Sequence, residues 1–151
     1  MDDCPVRPES VHNMPFRIMV ADDHEIVRMG IRTLLAQRPE WLICAEVDDG
    51  RAAVAEVLAR RPDVVILDLM LAGDLSGFDT AAQIKEVAPS TKIIFFSLHE
   101  VPATARMVGG DAFVSKAVGA RALIGAIDKL TADRAANERS PQTRAASGST
   151  D

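Results

Sequence analysis

The sequence predicts one doubly wound α/β domain, in which a five-stranded parallel sheet lies between two layers of helices. Two observations support this fold class. Five short apolar segments alternate along the chain with five segments of helical periodicity, which is the pattern of parallel strands joined by right-handed crossovers. The 151 residues, 48% of them hydrophobic, suffice for one full core and leave little chain for a second domain.

The first half of the chain supplies three strands and two helices. Strands are expected at Phe16–Ala21, Trp41–Val47 and Val64–Leu67 because these segments are short, apolar and rich in β-branched residues. The segment after the first strand has apolar residues at helical spacing and ends before Pro39: Ile26, Val27, Ile31, Leu34 and Leu35. An Ala-rich helix is expected over residues 52–60. The third strand has no polar alternation, which indicates burial on both faces.

The second half repeats the alternation. A loop over residues 71–77 leads to a helix over 78–87, and Lys92–Ser97 is the fourth strand. A short helix near 103–108, a strand over 111–115 and a closing helix over 120–130 complete the domain. Residues 1–15 and 132–151 are polar and lack apolar periodicity, so we expect a disordered leader and a disordered tail around a domain over residues 16–131.

Charge and cysteine content narrow the functional classes. The net charge of −5 argues against a surface built for nucleic acid or acidic membranes, so neither partner is expected. Cys4 and Cys44 lie far apart, which supports neither a disulfide framework nor a zinc site. The chain lacks a signal-peptide pattern and an apolar segment of membrane-spanning length, so we expect a cytoplasmic protein.

Polar side chains follow four of the five predicted strands. Asp22 and Asp23 follow the first strand, Asp68 the third and Lys116 the fifth, while Ser97 closes the fourth. Because the carboxyl ends of parallel strands share one edge of the sheet, these side chains should converge. Clustered carboxylates repel one another and invite a hard divalent cation, for which Mg²⁺ fits best. Carboxylate, metal, hydroxyl and ammonium together predict phosphoryl transfer to an aspartate.

This arrangement resembles the receiver domain of two-component response regulators over about residues 16–130. The opening residues Ala21-Asp22-Asp23-His24-Glu25-Ile26-Val27-Arg28 look most like receivers that precede helix-turn-helix DNA-binding domains. The resemblance implies a flavodoxin-like sheet with strand order 2-1-3-4-5. It also implies that Asp68 accepts phosphate from a sensor histidine kinase or phosphotransfer protein. Asp23, Asp68 and the Met70 main-chain carbonyl would bind Mg²⁺, with Asp22 assisting through water.

The resemblance also implies which residues would transmit the effect of phosphorylation to the rest of the domain. Ser97 would hydrogen-bond the phosphoryl group, Lys116 would pair with it, and Phe113 would be the aromatic switch residue. The chain would assist its own phosphorylation and dephosphorylation without another enzyme activity. Because no DNA-binding domain follows in this sequence, we expect a partner-binding role through the face around residues 101–130. A phosphorylation-dependent homodimer is a further expectation of the resemblance.

Three departures from the family pattern keep an alternative open. Ala72 stands where the family has proline, and Gly77 comes one position later than the usual glycine. The span from Ser97 to Lys116 is about three residues short, which is roughly one helical turn. A phosphorylation-independent interaction module therefore remains an alternative, as does the receiver part of a truncated DNA-binding response regulator.

Two other classes fit the residues less well. A phosphatase of the haloacid-dehalogenase type requires a second aspartate two residues after the nucleophile, where Met70 stands. A flavodoxin requires a hydroxyl-rich phosphate loop at the position of Asp22 and Asp23. His24 and His99 have no partner at metal-ligand spacing, so neither is assigned a catalytic role, and His24 is expected only to line the acidic pocket.

Overall fold

The computed structural model describes residues 14–98 and 108–138 and confirms the predicted fold class. Five parallel strands lie in the order β2-β1-β3-β4-β5: β1 (Phe16–Ala21), β2 (Trp41–Val47), β3 (Val64–Leu67), β4 (Lys92–Ser97) and β5 (Ala112–Ser115). The described ranges contain four helices: α1 (Glu25–Leu35), α2 (Gly50–Arg60), α3 (Gly77–Val87) and α4 (Ala120–Glu138). The short helix expected near 103–108 lies almost wholly outside the described residues.

The core has two halves, one on each face of the sheet. Val64 and Ile66 of β3 pack with the buried side chains of α1 and α4. Val65 and Leu67 point to the other face and pack with α2 and α3. All four β3 residues are buried, as a strand without polar alternation predicts. This central strand therefore fixes Asp68, the residue that follows it, at the middle of the sheet edge.

The closing helix is longer than the sequence predicted. Instead of ending at Leu130, α4 continues to Glu138, so the expected disordered tail was wrong for residues 132–138. Arg134 explains part of this extension, because its guanidinium lies 3.0 Å from Asp63 Oδ2 and 4.9 Å from the centre of the Phe16 ring. The rest of the predicted tail, and the leader up to residue 13, lie outside the described residues.

The four helices of the described ranges were compared with the length and hydropathy of a membrane span. Over residues 14–98 and 108–138, none combines the length and the apolar character that crossing a bilayer requires.

Candidate functional site

The register of the sheet places Asp22 beside Asp68. Ala21 of β1 is paired with Leu67 of β3, and the backbone N–H of Asp68 donates to the Ala21 carbonyl at 3.0 Å. The N–H of Asp22 donates to the Val47 carbonyl at 3.1 Å. Asp22 and Asp68 are only 2% and 3% exposed. Two neighbouring strands thus deliver two buried carboxylates to one point of the sheet edge.

Lys116 joins these carboxylates from the far side of the sheet. Its Nζ lies 2.7 Å from Asp22 Oδ2 and 3.3 Å from Asp68 Oδ2, and its side chain is 10% exposed. Its backbone N–H donates to the Ser97 carbonyl at 2.9 Å, which ties the end of β5 to the end of β4. The predicted convergence of Asp22, Asp68 and Lys116 is therefore present in the structure.

Asp23 lies beside Asp22 and Asp68, and the hydrogen bonding of its carboxylate is incomplete. Its Oδ1 is buried and makes no hydrogen bond within the described part of the chain. The His24 ring lies next to it: Nδ1 is 3.0 Å from Asp23 Oδ1 and 3.9 Å from Asp68 Oδ2. The same Nδ1 shares a hydrogen bond of 3.0 Å with Asp22 Oδ1. The sequence assigned His24 no metal-ligand partner and expected it to line the acidic pocket, and the ring does lie against these carboxylates.

The donor atoms of this cluster fit a divalent cation. One ligand atom each from Asp22, Asp23, His24 and Asp68 lies within 4.8 Å of every other. Three carboxylates against the one ammonium group of Lys116 leave two negative charges, which a divalent ion would balance. The buried Asp23 oxygen, which makes no hydrogen bond to any residue that the structure describes, is the kind of atom that a metal satisfies. Carboxylate oxygens are the ligands that Mg²⁺ prefers.

Met70 is placed next to the predicted acceptor by its backbone. Its N–H donates to Asp68 Oδ1 at 3.1 Å, a turn in which the carboxylate accepts from the residue two positions on. This bond fixes the orientation of the Asp68 carboxylate. The role of the Met70 carbonyl as a metal ligand stays a prediction.

Ser97 and Phe113 lie on the two strands at the far side of the site. Ser97 is buried at the end of β4, in register with Ser115 of β5. The Phe113 ring stacks on Phe95, with ring centres 5.8 Å apart and planes inclined by 16°. A Cβ at Gly110 would come within 2.8 Å of both rings, so glycine makes room for the stack. The switch role of Ser97 and Phe113 stays a prediction.

Gly77, one position later than the usual glycine of the family, lies against the backbone of the predicted acceptor. Gly77 begins α3, and its N–H donates to the Leu69 carbonyl at 3.0 Å. A Cβ at this position would lie 2.5 Å from the Asp68 carbonyl oxygen and 2.5 Å from Leu69 Cα. The start of α3 therefore rests directly on the backbone of the acceptor, and only glycine allows that approach.

The same loop is attached to α2. Ala72, at the position of the family proline, forms an isolated parallel bridge with Asp49. Arg51 donates to both carboxylate oxygens of Asp74, from Nε at 3.0 Å and from Nη2 to Oδ2 at 2.6 Å. These hydrogen bonds from the Arg51 guanidinium hold the pKa of Asp74 below its ordinary value. The longer loop is thus held at two points.

Known proteins share both this fold and this sequence pattern. The DegU transcriptional regulatory protein of Brevibacillus brevis is 29% identical over 122 residues, which are 79% of this chain and 51% of DegU. A LuxR-family two-component response regulator from Aurantimonas sp. SI85-9A1 is 32% identical, with a TM-score of 0.74 over 79% of this chain and 86% of that one. RcsB of Salmonella enterica serovar Typhimurium is 29% identical, with a TM-score of 0.69 over 77% and 66% of the two chains.

The length of these matches shows which part of the relatives corresponds to this chain. The chain spans about half the length of DegU. The family model of the response regulator receiver domain matches residues 18–128, which include every strand beyond the first two residues of β1 and all of the clustered side chains. The chain therefore belongs to the response regulator receiver domain family of two-component systems.

Proposed function

We propose that the chain is a phosphorylation-dependent signalling receiver, which accepts a phosphoryl group on Asp68 from a sensor histidine kinase or a phosphotransfer protein. The observation that carries the proposal is the position of Lys116 Nζ, 2.7 Å from Asp22 and 3.3 Å from Asp68, in a cluster with an excess of negative charge. Repulsion among the carboxylates of such a cluster lowers the stability of the fold. Unfavourable electrostatic interactions of this kind are typical of functional sites.

The chemistry is a displacement at phosphorus. A carboxylate oxygen of Asp68 forms a bond to the phosphorus atom while the bond between phosphorus and the donor imidazole nitrogen breaks, and that nitrogen keeps the electron pair. The Met70 N–H, 3.1 Å from Asp68 Oδ1, holds the nucleophile in one orientation. Mg²⁺ held by Asp23 and Asp68, with Asp22 assisting, would neutralise the charge of the incoming phosphoryl group. Lys116 and the Ser97 hydroxyl would contact its outer oxygens.

The surface around the site supports a protein as the phosphoryl donor. Four of the exposed large apolar side chains among the described residues lie near the site residues: Ile26, Met70, Leu98 and Val118. Each lies within three residues of Asp23, Asp68, Ser97 or Lys116 along the chain. Exposed apolar side chains of this size gain free energy when a partner covers them, so their position beside the acceptor fits a protein donor better than a small molecule.

The proposed signal passes from the acceptor through Ser97 and Lys116 to β5. Among the relatives, RcsB has been solved bound to the promoter rprA in the presence of the phosphomimetic BeF₃⁻. By analogy, phosphorylation here would shift the chain between two conformations and change the face around residues 101–130, of which 108–130 are described. A shift from mostly inactive to mostly active requires about 5.5 kcal/mol of differential stabilisation, and the phosphoryl contacts to Ser97 and Lys116 would supply it.

Incubation with Mg²⁺ and a small acyl-phosphate donor, followed by intact-mass measurement, tests the proposal. The wild-type chain should gain the mass of one phosphoryl group, and Asp68→Asn should gain none. Asp48→Asn is the matched control, because Asp48 follows β2 as Asp68 follows β3 but lies outside the clustered carboxylates. This variant should be modified like wild type. Modification of Asp68→Asn at the wild-type rate would refute the assignment.

A further inference from the structure

We infer that His24 is a nitrogen ligand of the divalent-cation site and that it gives the site a preference for first-row transition ions such as Co²⁺ over Mg²⁺. This inference rests on the proposed function, because it concerns the metal site of the same acceptor. The inference adds a nitrogen donor to a site whose other expected ligands are carboxylate and main-chain carbonyl oxygens.

The first observation is that His24 occupies a helix-capping position without capping the helix. It is the N-cap residue of α1, where a side-chain oxygen usually accepts a hydrogen bond from the first turn. Its side chain makes no such bond. Its backbone N–H instead donates to Asp22 Oδ1 at 2.9 Å, which fixes the residue against the site. The ring Nδ1 shares a hydrogen bond of 3.0 Å with the same oxygen, which holds the ring toward the carboxylates and away from the helix amides.

The second observation is the spacing of the donor atoms. Neighbouring ligands of an octahedral ion with bonds of about 2.1 Å lie roughly 3.0 Å apart. His24 Nδ1 lies 3.0 Å from Asp22 Oδ1 and 3.0 Å from Asp23 Oδ1. Its distance to Asp68 Oδ2 is 3.9 Å. One nitrogen and the oxygens of two carboxylates thus already stand at the separation that a shared ion requires.

The third observation concerns charge and access. Asp23 Oδ1 is buried and makes no hydrogen bond among residues 14–98 and 108–138, so it gains most from an ion placed between it and the His24 ring. A neutral imidazole adds a donor without changing the charge that the ion must balance. The His24 side chain is 59% exposed, which leaves a route from solvent. Imidazole suits Co²⁺, Ni²⁺ and Zn²⁺, whereas Mg²⁺ prefers oxygen.

Isothermal titration of the full, metal-free chain with Co²⁺ and separately with Mg²⁺ tests the inference. His24→Ala should weaken Co²⁺ binding about tenfold or more but change Mg²⁺ binding less than about threefold. Asp23→Ala should weaken the binding of both ions, because it removes an oxygen ligand. The double variant His12→Ala/His99→Ala, which leaves His24 as the one histidine of the chain, should bind Co²⁺ like wild type.

Proton NMR of the Co²⁺-loaded double variant gives a second readout. A ring coordinated to Co²⁺ should show strongly shifted imidazole resonances, and these should vanish in His24→Ala made in the same background. Equal fold-changes for Co²⁺ and Mg²⁺ in His24→Ala, or His24 resonances in their ordinary range, would overturn the inference. Phosphorylation of Asp68 with Mg²⁺ is measured separately, so loss of the metal preference alone would leave the proposed function standing.

Discussion

Lys116 Nζ forms an ion pair of 2.7 Å with Asp22 Oδ2, between side chains that are only 10% and 3% exposed. The same nitrogen lies farther from Asp68 Oδ2, at 3.3 Å. In the unmodified chain, the strongest partner of this ammonium group is therefore the residue after β1 and not the proposed acceptor. A phosphoryl group on Asp68 would compete with Asp22 for Lys116.

Removing Lys116 should destabilise the fold. Lys116→Met leaves the buried Asp22 carboxylate without its cation, and breaking a buried ion pair costs on the order of 3 kcal/mol. Urea unfolding should show that loss for the single variant and a smaller loss for Asp22→Asn/Lys116→Met, in which Asp22 no longer carries the charge that Lys116 balanced. Additive effects of the two substitutions would show that the ion pair does not couple them.

Removing Asp23 should have the opposite effect on stability. Its buried Oδ1 makes no hydrogen bond within the described residues, and its charge adds to the repulsion in the cluster. Asp23→Ala should therefore raise the free energy of unfolding in metal-free buffer by about 1 kcal/mol and abolish phosphorylation of Asp68. Asp48→Ala, at an exposed position outside the cluster, should change stability little. A loss of stability in Asp23→Ala would mean that this carboxylate has a structural role.

Gly77 should not tolerate a methyl group. In Gly77→Ala the new Cβ would overlap the backbone of Asp68 and Leu69, so we expect a loss of about 1–3 kcal/mol together with slower phosphorylation. Gly125→Ala is the matched control, because it lies in α4 with nothing within 4 Å of its added Cβ. Gly125→Ala should gain about 0.5–1 kcal/mol. Equal effects in the two variants, measured by urea unfolding, would contradict the close approach at Gly77.

The attachment of the loop to α2 should depend on pH. Because Arg51 holds the pKa of Asp74 below its unfolded value, the ion pair contributes fully above the ordinary aspartate pKa of about 3.9. That contribution is lost as pH falls through the lower, folded value. Arg51→Gln should raise the midpoint of the Asp74 carboxyl-carbon titration measured by NMR. An unchanged midpoint would show that Arg51 does not bind Asp74 in solution.

Sequence reasoning located the site better than it located the ends of the domain. Asp22, Asp68 and Lys116 could be predicted because they follow buried strands, and strand ends meet whatever the details of packing. The extension of α4 could not, because residues 131–138 lack an apolar stripe and contact the core through Arg134, whose partner Asp63 lies 71 residues away in the chain. Contacts over such distances leave no local pattern.

His24 shows a second limit of prediction from the sequence. Two of the carboxylates near its ring, Asp22 and Asp23, directly precede it in the chain, whereas Asp68 comes from the end of β3 and can be placed beside it only by the fold. The available signal was its place between an acidic pair and the start of a helix, where a capping oxygen would be usual. The need for glycine at position 77 also depends on a contact that no local pattern shows, namely the close approach of Gly77 to the backbone of Asp68 and Leu69.

The most direct test of the account is to locate the phosphoryl group. The chain is incubated with Mg²⁺ and an acyl-phosphate donor, the acyl phosphate is reduced with borohydride, and the peptides are sequenced by mass spectrometry. Because reduction converts a phosphorylated aspartate to homoserine, we expect homoserine at position 68 and at no other aspartate. Homoserine at another position, or an unmodified position 68 under these conditions, would contradict it.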